Sequence, residues 1–167
     1  MYKKLKIVKI DYKYCDYLRN YDNKVIYNMG LKELRPFIGV LFNIGIYEYF
    51  APLSSPKEKH KSLRNKLDLI KIDNGKYGVV NLNNMIPVTS NNYVEFDLNK
   101  KTNIKSELQR ITLLTKQLRW LTQNKKEIYR KSKLLYDLYK NDKLSKNIKD
   151  RCCNFPLLEI KCNVYNI

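Results

Sequence analysis

Residues 36–53 of the chain have the sequence PFIGVLFNIGIYEYFAPL. Apolar, β-branched and aromatic residues dominate this stretch, and residues of these types favour β-strands. The stretch is interrupted near Asn43 to Gly45 by residue types that are common in turns. It therefore predicts two strands joined at that point, which would be neighbours in an antiparallel sheet.

Shorter strand patterns lie on both sides of this stretch. LKIVKI, at residues 5–10, alternates as a half-buried strand does. In LIKIDNGKYGVVNL, Asn74 and Gly75 lie between two β-rich runs, which indicates a hairpin because a type I′ turn needs positive φ at both central residues. MIPV and YVEFDL add two short strands. The sequence thus predicts an antiparallel sheet of about six strands.

Helical spacing dominates the second part of the chain. One predicted helix follows Thr102, with an apolar stripe of Ile104, Leu108, Ile111, Leu114, Leu118 and Leu121. A second helix is predicted from about Lys125 to Tyr139, and Asn154 with Pro156 predicts the start of another. A short N-terminal helix is predicted around Tyr14, Tyr17 and Tyr21. The chain is predicted to be a single α+β domain of residues 1–167, strand-rich over about 1–100 and helix-rich over about 101–167.

The charge of the chain indicates a polyanionic partner. Its 33 Lys and Arg residues and 16 Asp and Glu residues give a formal net charge of +17. The electrostatic field of such a net charge attracts phosphates. The release of condensed counterions supplies most sequence-independent affinity for nucleic acids. The composition therefore favours RNA or DNA as the partner, ahead of an anionic membrane surface.

Other function classes receive little support from the sequence. The longest apolar run, around Phe37 to Phe42, is far shorter than the roughly 20 residues of a membrane-spanning helix. The first ten residues lack the apolar core of a signal peptide, so the chain is expected in the cytoplasm. The four cysteines have no disulfide or zinc spacing and are interpreted as buried thiols. No metal or other cofactor is predicted.

The stretch SSPKEKHK, at residues 54–61, directly follows the second predicted strand. It combines hydroxyls, cations and the only histidine, His60. These residue types could serve RNA cleavage without a metal, in which the 2′-OH attacks its own phosphate and the protein orients it, moves protons and stabilises negative charge. By residue chemistry alone, a turn followed by a solvated basic run is the favoured interpretation of the stretch.

Several segments together resemble the toxin of type III toxin–antitoxin systems, the ToxN/AbiQ endoribonuclease family. They are YKYCDYLRNYDNKV, RPFIGVLF, YFAPLSSPKEKHK, VVNLNNMIPV and CCNFPLLEIKC, which occur in this order over nearly the whole chain. The resemblance implies a strongly twisted antiparallel sheet in a partial barrel with flanking helices, similar to the Kid and MazF toxins. It also implies a metal-independent endoribonuclease that acts in growth arrest and phage abortive infection.

The resemblance implies RNA partners as well. The substrate would be cellular or phage RNA, and the inhibitor would be a repeated RNA pseudoknot, the antitoxin. Toxin and antitoxin would form a closed protein–RNA assembly. The proposed chemistry is transesterification to a 2′,3′-cyclic phosphate and a 5′-hydroxyl. Two other hypotheses remain from the residues alone, a non-catalytic RNA- or DNA-binding protein and a peripheral membrane or partner-binding protein.

The family pattern assigns candidate roles to individual residues. Ser54 and Ser55 take the hydroxyl positions, and Lys57 takes the cation position. Arg35 stands where relatives often have lysine and would clamp a phosphate. Tyr14 and His60 are candidates for moving protons or stacking a base. The candidate RNA contacts are Arg35, Lys57, Lys59, Lys61, Tyr27, Arg119, Arg130 and Lys133. The family alignment around Tyr27 and Lys32 is loose and assigns neither residue a definite role.

Overall fold

The computed structural model describes residues 3–27 and 35–166, whose strands form one antiparallel sheet. Its strands are β1 (Lys6–Ile10), β2 (Phe37–Gly39), β3 (Asn43–Ile44), β4 (Tyr47–Ser54), β5 (Leu69–Lys71), β6 (Val79–Asn81), β7 (Ile86–Val88) and β8 (Tyr93–Glu95). The order is β5-β6-β4-β2-β1-β8, and β3 and β7 pair with β4 beside this path. The sequence predicted about six strands, and the two-residue β3 is too short to leave a periodic signal.

Strand β4 is the centre of the sheet. It pairs with β2 at Ile38 and Ala51, with β6 at Leu53 and Val80, and with β3 and β7 nearer its start. Its middle six residues are all buried, because sheet neighbours and helices cover both faces. The two strands predicted in residues 36–53 correspond to β2 and β4, but the predicted junction near Asn43 to Gly45 contains the additional short strand β3. Pairing with β6 holds the end of β4 at Ser54.

The connection from β5 to β6 is longer than the sequence predicted. Asp73, Asn74 and Gly75 all have positive φ, at 49°, 54° and 87°. The turn closes through a hydrogen bond from the Ile72 N–H to the Gly78 carbonyl, 3.0 Å long. The Asn-Gly pair marked the position of the turn correctly, but the loop is not the two-residue type I′ form.

Six α-helices accompany the sheet in the described part of the chain. They are α1 (Tyr12–Arg19), α2 (Glu58–Ser62), α3 (Lys105–Gln123), α4 (Lys125–Lys140), α5 (Lys146–Lys149) and α6 (Phe155–Tyr165). Asn154 caps α6 as predicted, since its side chain accepts from the Leu157 N–H at 3.2 Å. The apolar stripe of α3 is buried only in its second half. Ile104 and Leu108 remain 62% and 53% exposed, because the first turns of α3 stand away from the sheet.

One hydrophobic cluster joins the strands to the helices. It includes Phe37 and Phe50 of the sheet, Leu121 of α3 and Phe155 of α6. All four cysteines are buried, as the sequence predicted. In the part of the chain that the structure describes, no helix combines the length and the apolar character needed to cross a membrane. Lys32 lies outside the described residues, and the likeness to Kid and MazF stays a prediction.

Candidate functional site

An open cavity of about 290 Å³ lies between the end of β4 and helix α3. One wall consists of residues at and after the end of β4, together with the segment before β2. The other wall is a single face of α3. The residues that line the cavity are Arg35, Pro36, Leu53, Ser54, Ser55, Lys57, Arg110, Leu113, Leu114 and Gln117. Four of the residues that the sequence singled out therefore converge here: Arg35, Ser54, Ser55 and Lys57.

The two serines occupy the point where β4 leaves the sheet. The Ser54 hydroxyl accepts a hydrogen bond from Asn81 Nδ2 on β6 at 2.8 Å, which fixes its rotamer. Gly78 lies against the same backbone, since a Cβ at this glycine would be 1.9 Å from the Ser54 carbonyl oxygen. Ser55 is exposed and lines the cavity. A fixed strand end thus presents one anchored hydroxyl and one accessible hydroxyl.

Lys57 begins helix α2 and is positioned through its backbone. Its N–H donates to Nδ1 of His60 at 3.1 Å, and the His60 N–H donates to the Lys57 carbonyl at 2.9 Å. His60 itself is buried, and burial lowers its pKa, with a further contribution from the charges of Lys57 and Lys59. A neutral imidazole at this position fixes the backbone of Lys57, a residue that lines the cavity.

Two arginines add positive charge to the cavity. Arg35 precedes β2, and Arg110 extends from α3 with its guanidinium 5.3 Å from the ring centre of Phe96. Partial burial lowers the pKa of both side chains, but an arginine remains charged throughout the physiological pH range. Of the described residues that line the cavity, none carries a carboxylate. With Lys57, the site therefore offers three cations and two hydroxyls, which suits a phosphate group.

Tyr14 does not reach the cavity, so the expectation that it moves protons on a substrate is corrected. Its side chain is fully buried, and its hydroxyl donates to the Pro87 carbonyl at 2.6 Å. Burial raises the pKa of the Tyr14 hydroxyl far above its ordinary value. Tyr14 lies on the face of helix α1 that points into the core. The centre of its ring is 5.1 Å from the ring centre of Tyr165.

His60 also differs from its predicted role. It is 3% exposed, and its Nδ1 already accepts from the Lys57 N–H. Lys59 and Lys61 are exposed on α2, and Lys61 forms a 3.0 Å ion pair with Glu58. Neither lysine belongs to the described lining of the cavity. The sequence grouped these residues by their closeness in the chain, whereas α2 turns their side chains in different directions.

The remaining predicted RNA contacts are spread over the surface. Tyr27 is exposed, and the Arg19 guanidinium lies 4.7 Å from its ring centre. Arg119 is exposed on α3. Arg130 and Lys133 on α4 form ion pairs with Glu127 and Asp137. These four side chains lie away from the described lining of the cavity and remain predicted contacts.

Comparison with known proteins identifies the family. The family model described as "Toxin ToxN, type III toxin-antitoxin system" matches residues 6–163. The chain belongs to the ToxN toxin family. It is 36% identical over 160 residues to Endoribonuclease ToxN of Bacillus thuringiensis subsp. kurstaki, which covers 93% of this chain and 81% of that protein. It is 32% identical to Endoribonuclease ToxN of Pectobacterium atrosepticum, covering 94% of this chain and 91% of that protein.

Solved structures of the ToxN family have the same fold. One, described as showing selective toxin inhibition by a non-coding RNA pseudoknot, aligns with a TM-score of 0.81 and 32% identity over 98% of this chain and 99% of that chain. The structure of AbiQ, described as a lactococcal anti-phage endoribonuclease, aligns with a TM-score of 0.82 and 24% identity over 98% and 99%. The resemblance inferred from the sequence segments is thereby confirmed at the level of family and fold.

Two cavity residues of this ToxN family member were missed by sequence analysis. Arg110 and Gln117 lie on α3, seven positions apart, with Leu113 and Leu114 between them. Such spacing places all four on one face of a helix. Gln117 interrupts the buried face of Leu114 and Leu121, and a polar residue at a buried position is a signal that could have been noticed. Arg110 gave no separate signal among the many basic residues of α3.

Proposed function

We propose that this ToxN family member is an endoribonuclease toxin that cleaves RNA without a metal ion. The supporting observation is the convergence of Ser54, Ser55, Lys57 and Arg35 on one cavity at the end of β4. In the proposed step, the 2′-oxygen bonds to the adjacent phosphorus while the bond from phosphorus to the 5′-oxygen breaks. The 2′-hydroxyl loses a proton and the leaving 5′-oxygen gains one. The products are a 2′,3′-cyclic phosphate and a 5′-hydroxyl.

The cavity supplies electrostatic stabilisation for this step. Negative charge accumulates on the phosphoryl oxygens as the phosphorane-like transition state forms. Lys57 and Arg35 are placed to bind these oxygens, and Arg110 adds a third cation from the opposite wall. A divalent ion would instead need several carboxylates, and it would be repelled by this set of cations.

The serines orient the reacting groups. Asn81 holds the Ser54 hydroxyl, so this side chain acts as part of the rigid frame. Ser55 is accessible and would contact the 2′-hydroxyl or the scissile phosphate. Because a free serine hydroxyl is a very weak acid, Ser55 serves in orientation or in a proton relay and not in covalent attack. His60 contributes by holding the Lys57 backbone.

An RNA antitoxin is the proposed inhibitor. A related solved structure is described by selective toxin inhibition by a non-coding RNA pseudoknot. The net charge of +17 suits a structured RNA of the same kind. We propose that a pseudoknot repeat binds this toxin in a closed assembly in the cytoplasm, with Arg119, Arg130 and Lys133 among the contacts. Release of the toxin would cut cellular or phage RNA and cause growth arrest and abortive infection.

The test is RNA cleavage in excess EDTA with the 3′-end chemistry determined. The wild type should leave cyclic phosphate ends, and it should not cut a substrate with a single 2′-deoxy sugar at the cleavage site. Ser55→Ala and Lys57→Ala should lose cleavage and still bind RNA. Lys59→Ala is the matched control, since Lys59 is exposed on α2 outside the described cavity lining. Loss of cleavage in EDTA, or binding of RNA by the wild type without any cutting, would overturn the proposal.

A further inference from the structure

At the wall of the cavity, the nitrogen of the Gln117 side-chain amide has a hydrogen-bond partner among the described residues, but its oxygen does not. Gln117 lines the cavity, yet its side chain is only 1% exposed. Its Nε2 donates to the Tyr77 carbonyl at 2.7 Å. Its Oε1 is buried and has no hydrogen-bond donor among residues 3–27 and 35–166. Buried side-chain acceptors nearly always have a partner, so an unpaired one beside a cavity points to a water or a ligand as the donor.

The orientation of this amide is fixed by its anchor. If the Gln117 amide were flipped, its oxygen would face the Tyr77 carbonyl, and two acceptors would oppose each other. Tyr77 itself lies in the turn between β5 and β6, where its N–H donates to the Ile72 carbonyl at 3.2 Å. The turn therefore holds the amide donor, and Oε1 is the half of the amide that no described residue engages.

The two walls of the cavity differ in chemistry. The wall at the end of β4 carries Ser54, Ser55 and Lys57, which suit ribose and phosphate. The α3 wall presents Leu113 and Leu114 between Arg110 and Gln117. Apolar surface with a small number of directional polar groups is typical of a site that packs against the face of a base and reads its edge.

We propose that Gln117 Oε1 accepts a hydrogen bond from the exocyclic amino group of a base next to the scissile phosphate. Gln117 is then a specificity-determining residue for adenine, cytosine or guanine over uracil at that position, because uracil has no amino group. A site built around such a hydrogen bond discriminates well, since a substrate without the donor leaves the acceptor unpaired. This inference rests on the proposed endoribonuclease function.

The test combines one substitution in the enzyme with removal of single exocyclic amino groups from the RNA. A short RNA that the wild type cuts is synthesised with each flanking nucleotide replaced in turn by an analogue without its exocyclic amino group. The analogues are purine riboside for adenosine, inosine for guanosine and pyrimidin-2-one riboside for cytidine. The enzymes are the wild type, Gln117→Met and the control Gln109→Met, which changes an exposed glutamine on the same helix.

The expected result is that the effect of removing one base amino group on kcat/KM depends on the presence of the Gln117 side chain. At one flanking position, removal of the amino group should lower kcat/KM of the wild type and of Gln109→Met by about tenfold or more. The same removal should change kcat/KM of Gln117→Met by less than about threefold, because no acceptor remains to be left unpaired. Thermal unfolding of each variant separates this effect from a loss of folded protein.

Several results would overturn the inference. The first is that kcat/KM of the wild type is the same for every amino-deficient substrate as for the parent RNA. This comparison needs no variant. Another is an amino-group effect that persists unchanged in Gln117→Met. A third is that Gln117 is coupled to a ribose 2′-hydroxyl and not to a base amino group. A 2′-deoxy substitution at a flanking nucleotide would reveal this. Failure of the proposed function looks different, since the wild type would then cut no RNA at all.

Discussion

The backbone N–H of Lys57 donates to Nδ1 of His60 over 3.1 Å, so the imidazole holds the N-cap residue of its own helix, α2. Glutamate or glutamine at the third position of a helix often makes this contact with the capping residue. Here a histidine does so, and it can accept only while Nδ1 is unprotonated. The proton of the neutral ring is therefore on Nε2. The position of a proposed catalytic lysine thus depends on the charge state of a neighbouring ring.

The first prediction is a loss of stability and of cleavage in acid that originates at His60. Burial and the nearby lysines lower the folded-state pKa of this side chain below its ordinary value of 6.5. Between the lowered value and 6.5, the unfolded chain binds more protons than the folded one, so stability increases with pH. The urea midpoint should therefore decrease as the pH falls below about 6.5, and cleavage should decrease with it.

His60→Gln is the informative comparison for this prediction. Glutamine can reach back to the Lys57 N–H at any pH. The variant should keep cleavage near neutral pH and lose the acidic decrease in activity and stability. No other histidine complicates the assignment, because the chain has only one. If folded His60→Gln is inactive at every pH, His60 transfers protons itself, as the sequence first suggested.

The second prediction concerns the glycine behind Ser54. Gly78 has a φ of 95°, and a Cβ there would lie 1.9 Å from the Ser54 carbonyl oxygen. Gly78→Ala must therefore displace the end of β4, and we expect loss of cleavage with a destabilisation greater than the roughly 1–3 kcal/mol of backbone strain alone. Urea unfolding and the RNA cleavage rate measure the two effects.

Gly45→Ala is the matched control for this prediction. Gly45 also has a positive φ, at 55°, but among the described residues other than Gly45 and its two chain neighbours, no atom lies within 4 Å of the position its Cβ would take. This variant should show only the backbone strain and keep its cleavage activity. Equal losses of activity in both variants would mean that the contact between Gly78 and Ser54 is unimportant for the site.

The sequence predicted those features that depend on local pattern. The strands of residues 36–53, the turn at Asn74-Gly75 and the cap at Asn154 each have a physical cause within a few residues, and each was found. The pairing of β6 and β7 with β4 was not predicted, because it depends on contacts between segments that are distant in the chain. The same limit explains why the contribution of Gln117 to the cavity was missed.

The family pattern also placed in the candidate site two side chains that the structure buries. Tyr14 and His60 were grouped with the serines by family pattern or by position in the chain. The structure buries both, since Tyr14 lies on the inner face of α1 and His60 turns back toward the start of α2. The direction in which a side chain points depends on the packing of its helix, which a single sequence does not specify.

The third prediction is that Tyr14→Phe keeps its cleavage activity. The Tyr14 hydroxyl binds only buried groups, with the Pro87 carbonyl accepting its hydrogen at 2.6 Å. Removing this hydrogen bond should lower the free energy of unfolding by about 1 kcal/mol. The kcat/KM of the folded variant should match that of the wild type. A large loss of kcat/KM without a change in unfolding would place Tyr14 at the reaction after all.

The fourth prediction separates two arginines on helix α3. Arg110 lines the cavity, whereas Arg119 is exposed outside its described lining. Arg110→Gln removes a charge from the α3 wall of the cavity, and it should lower cleavage of a short RNA by about 10- to 100-fold. Arg119→Gln should change that rate by less than about threefold, because an exposed charge at a distance is screened by salt.

Salt dependence extends this comparison to the proposed antitoxin surface. If Arg119 contacts a phosphate of a longer structured RNA, Arg119→Gln should reduce the slope of log affinity against log salt concentration by about 1. Arg110→Gln should affect cleavage more than this slope. Both variants have the same net charge, so a difference between them reflects position and not the overall field of the protein. Equal losses of cleavage in the two variants would show instead that α3 acts through its total charge, and the role of Arg110 in the cavity would be refuted.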